Sequence, residues 1–152
     1  MIDNLLNEEN VDVNVEVSSW QDAIKEVGKL LLINDKIEER YIDSMIDTVT
    51  NMGPYIVMAK GIAMPHARPE HGAKETSLSI ITLKEPVEFG NEDFDPVRMV
   101  IGLSSVDSKS HLELLSDLSN IMDDEDLIEK VKDCKDKSEL ISLIKKVYAE
   151  SI

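Results

Sequence analysis

Cysteine, aromatics and basic residues are all scarce in this chain of 152 residues. A single cysteine, Cys134, cannot close an internal disulfide, so the fold must rest on its core. Two Phe, three Tyr and one Trp are too few for the stacking platforms that single-stranded nucleic acids need. Sixteen Lys and Arg stand against thirty-one Asp and Glu, a formal net charge of −15. Such a surface repels phosphate backbones and anionic membranes, which excludes nucleic acid as a partner. No apolar run approaches the roughly 20 residues that span a bilayer. The opening stretch MIDNLLNEENVDV is acidic where a secretion signal needs a basic start. The expected location is therefore the cytoplasm, with no direct membrane insertion. What is present is an ordinary globular composition, 42% hydrophobic and 31% charged. A chain of about 150 residues buries roughly 68–70% of its unfolded surface, enough for a core without staples. One domain over residues 1–152 is expected, its first ten residues loosely ordered or a short helix.

The hydrophobic pattern divides into two periods. Residues 11–17, VDVNVEV, alternate as a half-buried strand does. Ser19 and Asp22 open a helix whose apolar face carries Trp20, Ala23, Ile24, Val27, Leu30 and Leu31. Asp35 and Glu38 open a second, with Ile37, Tyr41, Met45, Ile46 and Val49 inward, stopping at Gly53-Pro54. YIVMA (55–59), SLSIITL (77–83) and VRMVIGL (97–103) read as strands. Asp107 or Ser108 caps a helix with Leu112, Leu115, Leu118 and Met122 on one face, Ser110 and Glu113 forming a capping box one register later; either start leaves His111 in the first turn. Two further helices follow near 124–133 and 138–149. Strands interleaved with helix pairs predict an α/β (α+β) fold: one layered domain, a mixed β-sheet of about five strands, helices on both faces.

The segment GIAMPHARPEHG (61–72) differs from the rest. Its prolines forbid a helix interior, since each removes an amide donor and clashes one turn back. It reads as a loop after a strand, where α/β proteins place their ligand sites. Pro65 fixes the backbone just before His66, so the imidazole leaves the chain in a restricted direction. Between Thr48 and Lys84 stand four basic residues and two acidic ones, a net of +2 in an otherwise acidic chain. A transient phosphate would require such a window together with helix N-terminal amides. His71 reads as a surface residue. For His111 two readings stand side by side: an imidazole that caps its helix, or one that bonds a group held at the helix start.

Rival chemistries fare worse. His66, Glu70 and His71 read H-x-x-x-E-H, near a zinc-peptidase pattern, but Pro69 prevents the helical face those ligands need, and no metal site is expected. Neither G-x-x-x-x-G-K-[ST], G-x-G-x-x-G nor G-x-S-x-G occurs, which leaves nucleotide binding and serine-hydrolase chemistry unsupported. Cys134 reads as a packing residue.

At Gly61-Ile62-Ala63-Met64-Pro65-His66 the chain resembles the enzyme IIA components of the bacterial phosphoenolpyruvate-dependent sugar phosphotransferase system. The branch is the fructose-mannitol type, whose hallmark is a G-[IV]-A-x-P-H loop. The resemblance covers roughly residues 5–150 and includes SHLELLSDL (110–118). GPYIVMAKGIAMPHARPEHG followed by LKEPVEFGNEDFDPV looks most like the L-ascorbate-type members. The resemblance implies that His66 is the phosphorylated histidine and that His111 supports the phosphate. It implies a histidine-containing phosphocarrier protein as donor and a cysteine of enzyme IIB as acceptor. It implies neither cofactor nor metal, and leaves oligomeric state open, a homo-oligomer included. Members of the branch carry an arginine in the helix before the loop; here Ile46 to Met52 has none. Arg68 is the candidate substitute in phosphate binding. The alternative is a phosphorylation-state sensor of the nitrogen-regulatory enzyme IIA kind, acting by docking to a regulator or transporter.

Overall fold

The computed structural model describes every residue from Met1 to Ile152. Five strands form one mixed sheet: β1 (Val11–Val15), β2 (Val57–Ala59), β3 (Ile62–Ala63), β4 (Ser77–Val87) and β5 (Val97–Ser104), in the order β1-β4-β5-β3-β2. The helices are α1 (Ile2–Leu5), α2 (Trp20–Ile33), α3 (Arg40–Met52), α4 (Ser108–Met122), α5 (Leu127–Lys132) and α6 (Lys137–Ser151). The expected mixed α/β sheet flanked by helices on both faces is what the chain forms.

The two central strands are buried on both faces, and their alternation sorts the core into two layers. Leu78 and Ile80 of β4 with Met99, Ile101 and Leu103 of β5 meet Leu114, Leu118, Leu140 and Ile144 from α4 and α6. Ile81, Leu83 and Val100 face the other way, onto Ile24, Val27 and Leu31 of α2 and Tyr41 and Met45 of α3. Each fully buried Ile or Leu contributes about 1.5–3 kcal/mol over an exposed one, so this register is strongly specified. The helix pair α2–α3 packs closely at Gly28, where a Cβ would stand 2.7 Å from Cγ1 of Ile42.

Several boundaries differ from the sequence pattern, each for a local reason. β1 ends at Val15 because Asn14 takes a positive φ of 52° and donates its N–H to Oγ1 of Thr82, breaking the alternation. The second helix begins at Arg40: Asp35 adopts φ 59°, and Ile37 bridges to Ala73 before the helix starts. It ends as expected before Gly53. On α4 the inward face is Leu114, Leu118 and Ile121, so Leu112, expected on that face, is 65% exposed because the helix start at Ser108 turns it away from the sheet. β4 runs on to Val87 through Pro86, which sits at a shift in its register with β5. The run 55–59 shortens to β2, and Ile62–Ala63, read as loop, becomes β3, paired on one side with β2 and on the other with β5. The turn between them needs Gly61 (φ 78°), where a Cβ would lie 2.9 Å from Ile128.

The topology defines one end of the sheet. β3 and β5 are parallel and β4 runs against β5, so the carboxyl ends of β3 and β5 meet the start of β4. Chain leaving β3 leads to His66; chain leaving β5 leads into α4 and His111.

Candidate functional site

His66 follows β3 by three residues, and the backbone around it is held from both sides. Met64 donates its N–H to Ile56 (2.7 Å), and the carbonyl of Pro65 accepts the N–H of Leu103 (3.0 Å). Nδ1 of His66 lies 2.8 Å from the carbonyl oxygen of Met64. A carbonyl only accepts, so Nδ1 carries the proton and Nε2 keeps a free lone pair. The ring is half-buried.

His111 reaches the same place through a different set of contacts. The side chain of Asp107 accepts the N–H of Ser110 (2.7 Å) and starts α4 at Ser108, so Asp107 is the cap and the Ser110–Glu113 box does not form. The hydroxyl of Ser110 instead pairs with Thr76 (2.7 Å), which also accepts the N–H of Val106 (3.1 Å), pinning the helix start to the start of β4. His111 then stands in the first turn with its ring centre 5.6 Å from that of His66, the planes inclined by 51°. Oγ of the buried Ser105 lies 3.4 Å from its Nδ1. Burial, and secondarily the neighbouring His66, push the pKa of His111 below its ordinary value, which favours the neutral ring.

Both imidazoles line a cleft of about 540 Å³, together with Thr48 and Met52 of α3, Tyr55, Arg68, Ser105 and Asp107. His71, expected on the surface, is exposed and also lines this cleft, so all three histidines converge there. Asp107 is the one carboxylate in the lining; accepting the N–H of Ser110 holds it below the usual carboxylate range and keeps it ionised. No three His, Cys, Asp or Glu side chains stand in a metal-holding arrangement. Cys134 is buried away from the cleft, its thiol pushed up by desolvation.

The positive window of the sequence is not a positive patch in space. Lys74 pairs with Asp35, and Lys84 with Glu16 at 3.0 Å. Lys60 lines a separate cleft beside Ile62 and Met122. Arg68 alone of the four reaches the site, its side chain 80% exposed and its nearest carboxylate, Glu70, at 4.0 Å. On α3, where the branch carries its arginine, Thr48 occupies the cleft wall.

Two polar groups at the site escaped the sequence pattern. Ser105 follows a strand and gave no signal. Tyr41 shows as a core residue by its spacing, yet its hydroxyl reaches Ala67 and Leu103, 26 and 62 residues away.

Residues 4–147 match the sequence profile of the phosphoenolpyruvate-dependent sugar phosphotransferase system, EIIA 2. The chain belongs to this family. Among curated relatives, the ascorbate-specific PTS system EIIA component of Shigella boydii serotype 4 (strain Sb227) is 38% identical over 148 residues, 97% of this chain and 96% of the relative. Among solved structures, the mannitol-specific cryptic phosphotransferase enzyme IIA CmtB from Escherichia coli superposes with a TM-score of 0.85 at 34% identity, over 95% of this chain and 98% of that one. The Escherichia coli complex of enzyme IIAMTL with phosphorylated enzyme IIBMTL contains a chain matching with a TM-score of 0.81 at 26% identity, over 93% and 97%. As an EIIA 2 protein the chain is a phosphoryl-transferring component of the sugar phosphotransferase system. No helix in it is long and apolar enough to cross a membrane.

Proposed function

We propose that Nε2 of His66 accepts a phosphoryl group from the histidine-containing phosphocarrier protein and passes it to a cysteine thiolate of an enzyme IIB component, in a cytoplasmic system for L-ascorbate or a similar sugar acid. The observation that carries this reading is the fixed Nδ1–H···O=C bond to Met64, which leaves Nε2 as the nucleophilic nitrogen of a half-buried ring on an open cleft. The relative's ascorbate specificity at 38% identity supports the substrate class.

The chemistry asks little of the protein beyond placement and charge. A neutral imidazole with its proton on Nδ1 and a free lone pair on Nε2 attacks phosphorus in line without a separate base. As the new N–P bond forms, the donor's N–P bond breaks, and its imidazole recovers the electron pair. His111 faces the same space and supplies a hydrogen bond to the equatorial oxygens. Arg68, unpaired except for a 4.0 Å approach to Glu70, is free to swing onto the phosphate from the rim. In the second step a thiolate sulfur attacks phosphorus and Nε2 leaves, still held by the Met64 carbonyl through Nδ1–H. Neither step consumes a metal or a cofactor. Because the group must leave as easily as it arrives, one mobile cation suits the task better than a rigid clamp.

Donor and acceptor must both approach the same nitrogen, so one surface serves both and the two cannot bind together. Met52 (63% exposed) and Tyr55 are apolar groups lining the cleft with the histidines, and the exposed Val106 and Leu112 (65% exposed) follow its Ser105 and His111 along the chain. Transport is favoured over a sensor role because the 38%-identical relative is a sugar-system component aligned over 96% of its length.

The test is incubation with labelled phosphoenolpyruvate, enzyme I and the histidine-containing phosphocarrier protein, followed by mapping of the acid-labile phosphopeptide and addition of enzyme IIB. Label on the peptide containing His66 that then moves to the IIB thiol is expected. Label that stays on the protein in the presence of IIB overturns the transport role.

A further inference from the structure

The two neighbours of His66 hang from a single residue of β5. The N–H of Leu103 donates to the carbonyl of Pro65 (3.0 Å). The carbonyl of the same Leu103 accepts the hydroxyl of Tyr41 (2.7 Å), and that hydroxyl oxygen in turn accepts the N–H of Ala67 (3.0 Å). Residue 65 is thus tied directly, and residue 67 through one phenolic oxygen. We propose that Tyr41 is a positioning residue for phosphoryl transfer: its hydroxyl fixes the chain on the far side of His66 and so holds Nε2 at its angle to His111. The proposal rests on the reading of His66 as the acceptor.

Three observations support it. Tyr41 is fully buried, so no donor or acceptor protein touches it, and any influence on transfer runs through Ala67. Its hydroxyl keeps its proton, since burial pushes the phenol up to about 12. The hydroxyl has two carbonyls in reach, Leu103 at 2.7 Å and Ala67 at 3.2 Å; the shorter contact takes its one proton, and the oxygen accepts the N–H of Ala67. Apart from this oxygen Ala67 is held by the packing of its methyl group against the α2–α3 core layer, while Arg68 beside it is exposed. Without the phenolic oxygen the backbone of residue 67 is free to swing and the ring with it, so the Nδ1–H···O=C bond to Met64 is broken part of the time and no longer fixes a single tautomer. A displacement of about 1 Å at a reacting group costs up to roughly a hundredfold in rate.

Tyr41→Phe keeps the ring that packs between α3 and β5 and removes only the oxygen. The expected result is a drop in the first-order rate of phosphoryl acceptance on the order of tenfold or more, with KM for the phosphocarrier protein unchanged. Nitrogen NMR of the imidazoles should show His66 in one Nδ1-protonated tautomer in the unaltered protein and in a mixture in the variant, with His71 the same in both. A purely structural role would lower the melting temperature and leave rate and tautomer untouched; that outcome overturns the proposal. Should Tyr41→Phe fail to fold, amide exchange in the unaltered protein decides: the Ala67 N–H must exchange far more slowly than that of an open loop, and fast exchange contradicts the tether. A protein that accepts no phosphoryl group at all would refute the function proposed for His66, while the tautomer and exchange results would still uphold or overturn the tether.

Discussion

His66 and His111 stand with ring centres 5.6 Å apart and planes inclined by 51°, brought there from the ends of two parallel strands that are neighbours in the sheet. His66 turns its Nδ1–H back to the Met64 carbonyl, so the nitrogen left for a partner is Nε2. One phosphoryl group between the two rings would bond to one imidazole and accept a hydrogen bond from the other.

That arrangement assigns unequal roles. His66→Ala should abolish labelling, whereas His111→Ala should slow acceptance about 10²-fold to 10³-fold, the usual loss on removing one transition-state donor, and leave detectable label. Initial rates with phosphocarrier protein as donor check this. Equal and complete loss in both would mean that the roles are wrongly divided.

The depressed pKa of His111 also makes stability depend on pH. Its folded-state proton affinity lies below the unfolded reference of about 6.5, so the unfolded chain binds more protons there. The stability from this group is complete above that reference and is lost as pH falls from it towards the lower folded value. His111→Gln should therefore lose less thermal stability than the unaltered protein on going from about pH 7.5 to about pH 5.5. Phosphorylation places negative charge beside the ring and should reverse the shift, so that the His111 titration followed by NMR moves to higher pH in the phosphorylated protein.

Arg68 is the cation of the site, and Arg68→Glu should weaken acceptance by placing like charge opposite the incoming phosphate. Arg68→Gln should fall between the two, and the gap between Arg and Glu should narrow as salt is raised, because the side chain is 80% exposed. An unchanged rate for Arg68→Glu removes it from the site.

The same residue shows what a linear reading can reach. The strands of the core and the proline-bounded histidine were legible because burial writes its period into the chain and Pro65 constrains its neighbour locally. The charge window misled: Lys74 and Lys84 count toward it in sequence, yet their carboxylate partners, Asp35 and Glu16, lie outside it and neutralise them in space. β3 was hidden because Ile62–Ala63 is too short to show a period, and its strand character comes from β2 and β5 on either side. The tyrosine hydroxyl was invisible for a related reason, since helical spacing reports where the ring of Tyr41 packs and nothing about where its oxygen ends.

Leu112 follows His111 directly and is 65% exposed, which makes it a probe of the shared docking surface. Leu112→Asp should leave stability within about 0.5 kcal/mol, as surface changes do. KM for the phosphocarrier protein should rise and transfer to enzyme IIB should fall in parallel. A change toward one partner alone would separate the two surfaces.

The fold carries its own test at the contact of α2 with α3. Gly28→Val would drive branched carbons into Ile42, already 2.7 Å from a single added Cβ, and overpacking of this kind costs typically 1–3 kcal/mol. Denaturant unfolding should show that loss, while acceptance per folded molecule stays unchanged because the cleft is lined by other residues.

The most direct measurement is heteronuclear NMR of the phosphorylated protein, reading which imidazole nitrogen is bonded to phosphorus. Phosphorus coupled to Nε2 of His66, with Nδ1 still protonated toward Met64, is the predicted result. Phosphorus on Nδ1 of His66, or on either nitrogen of His111, would contradict it.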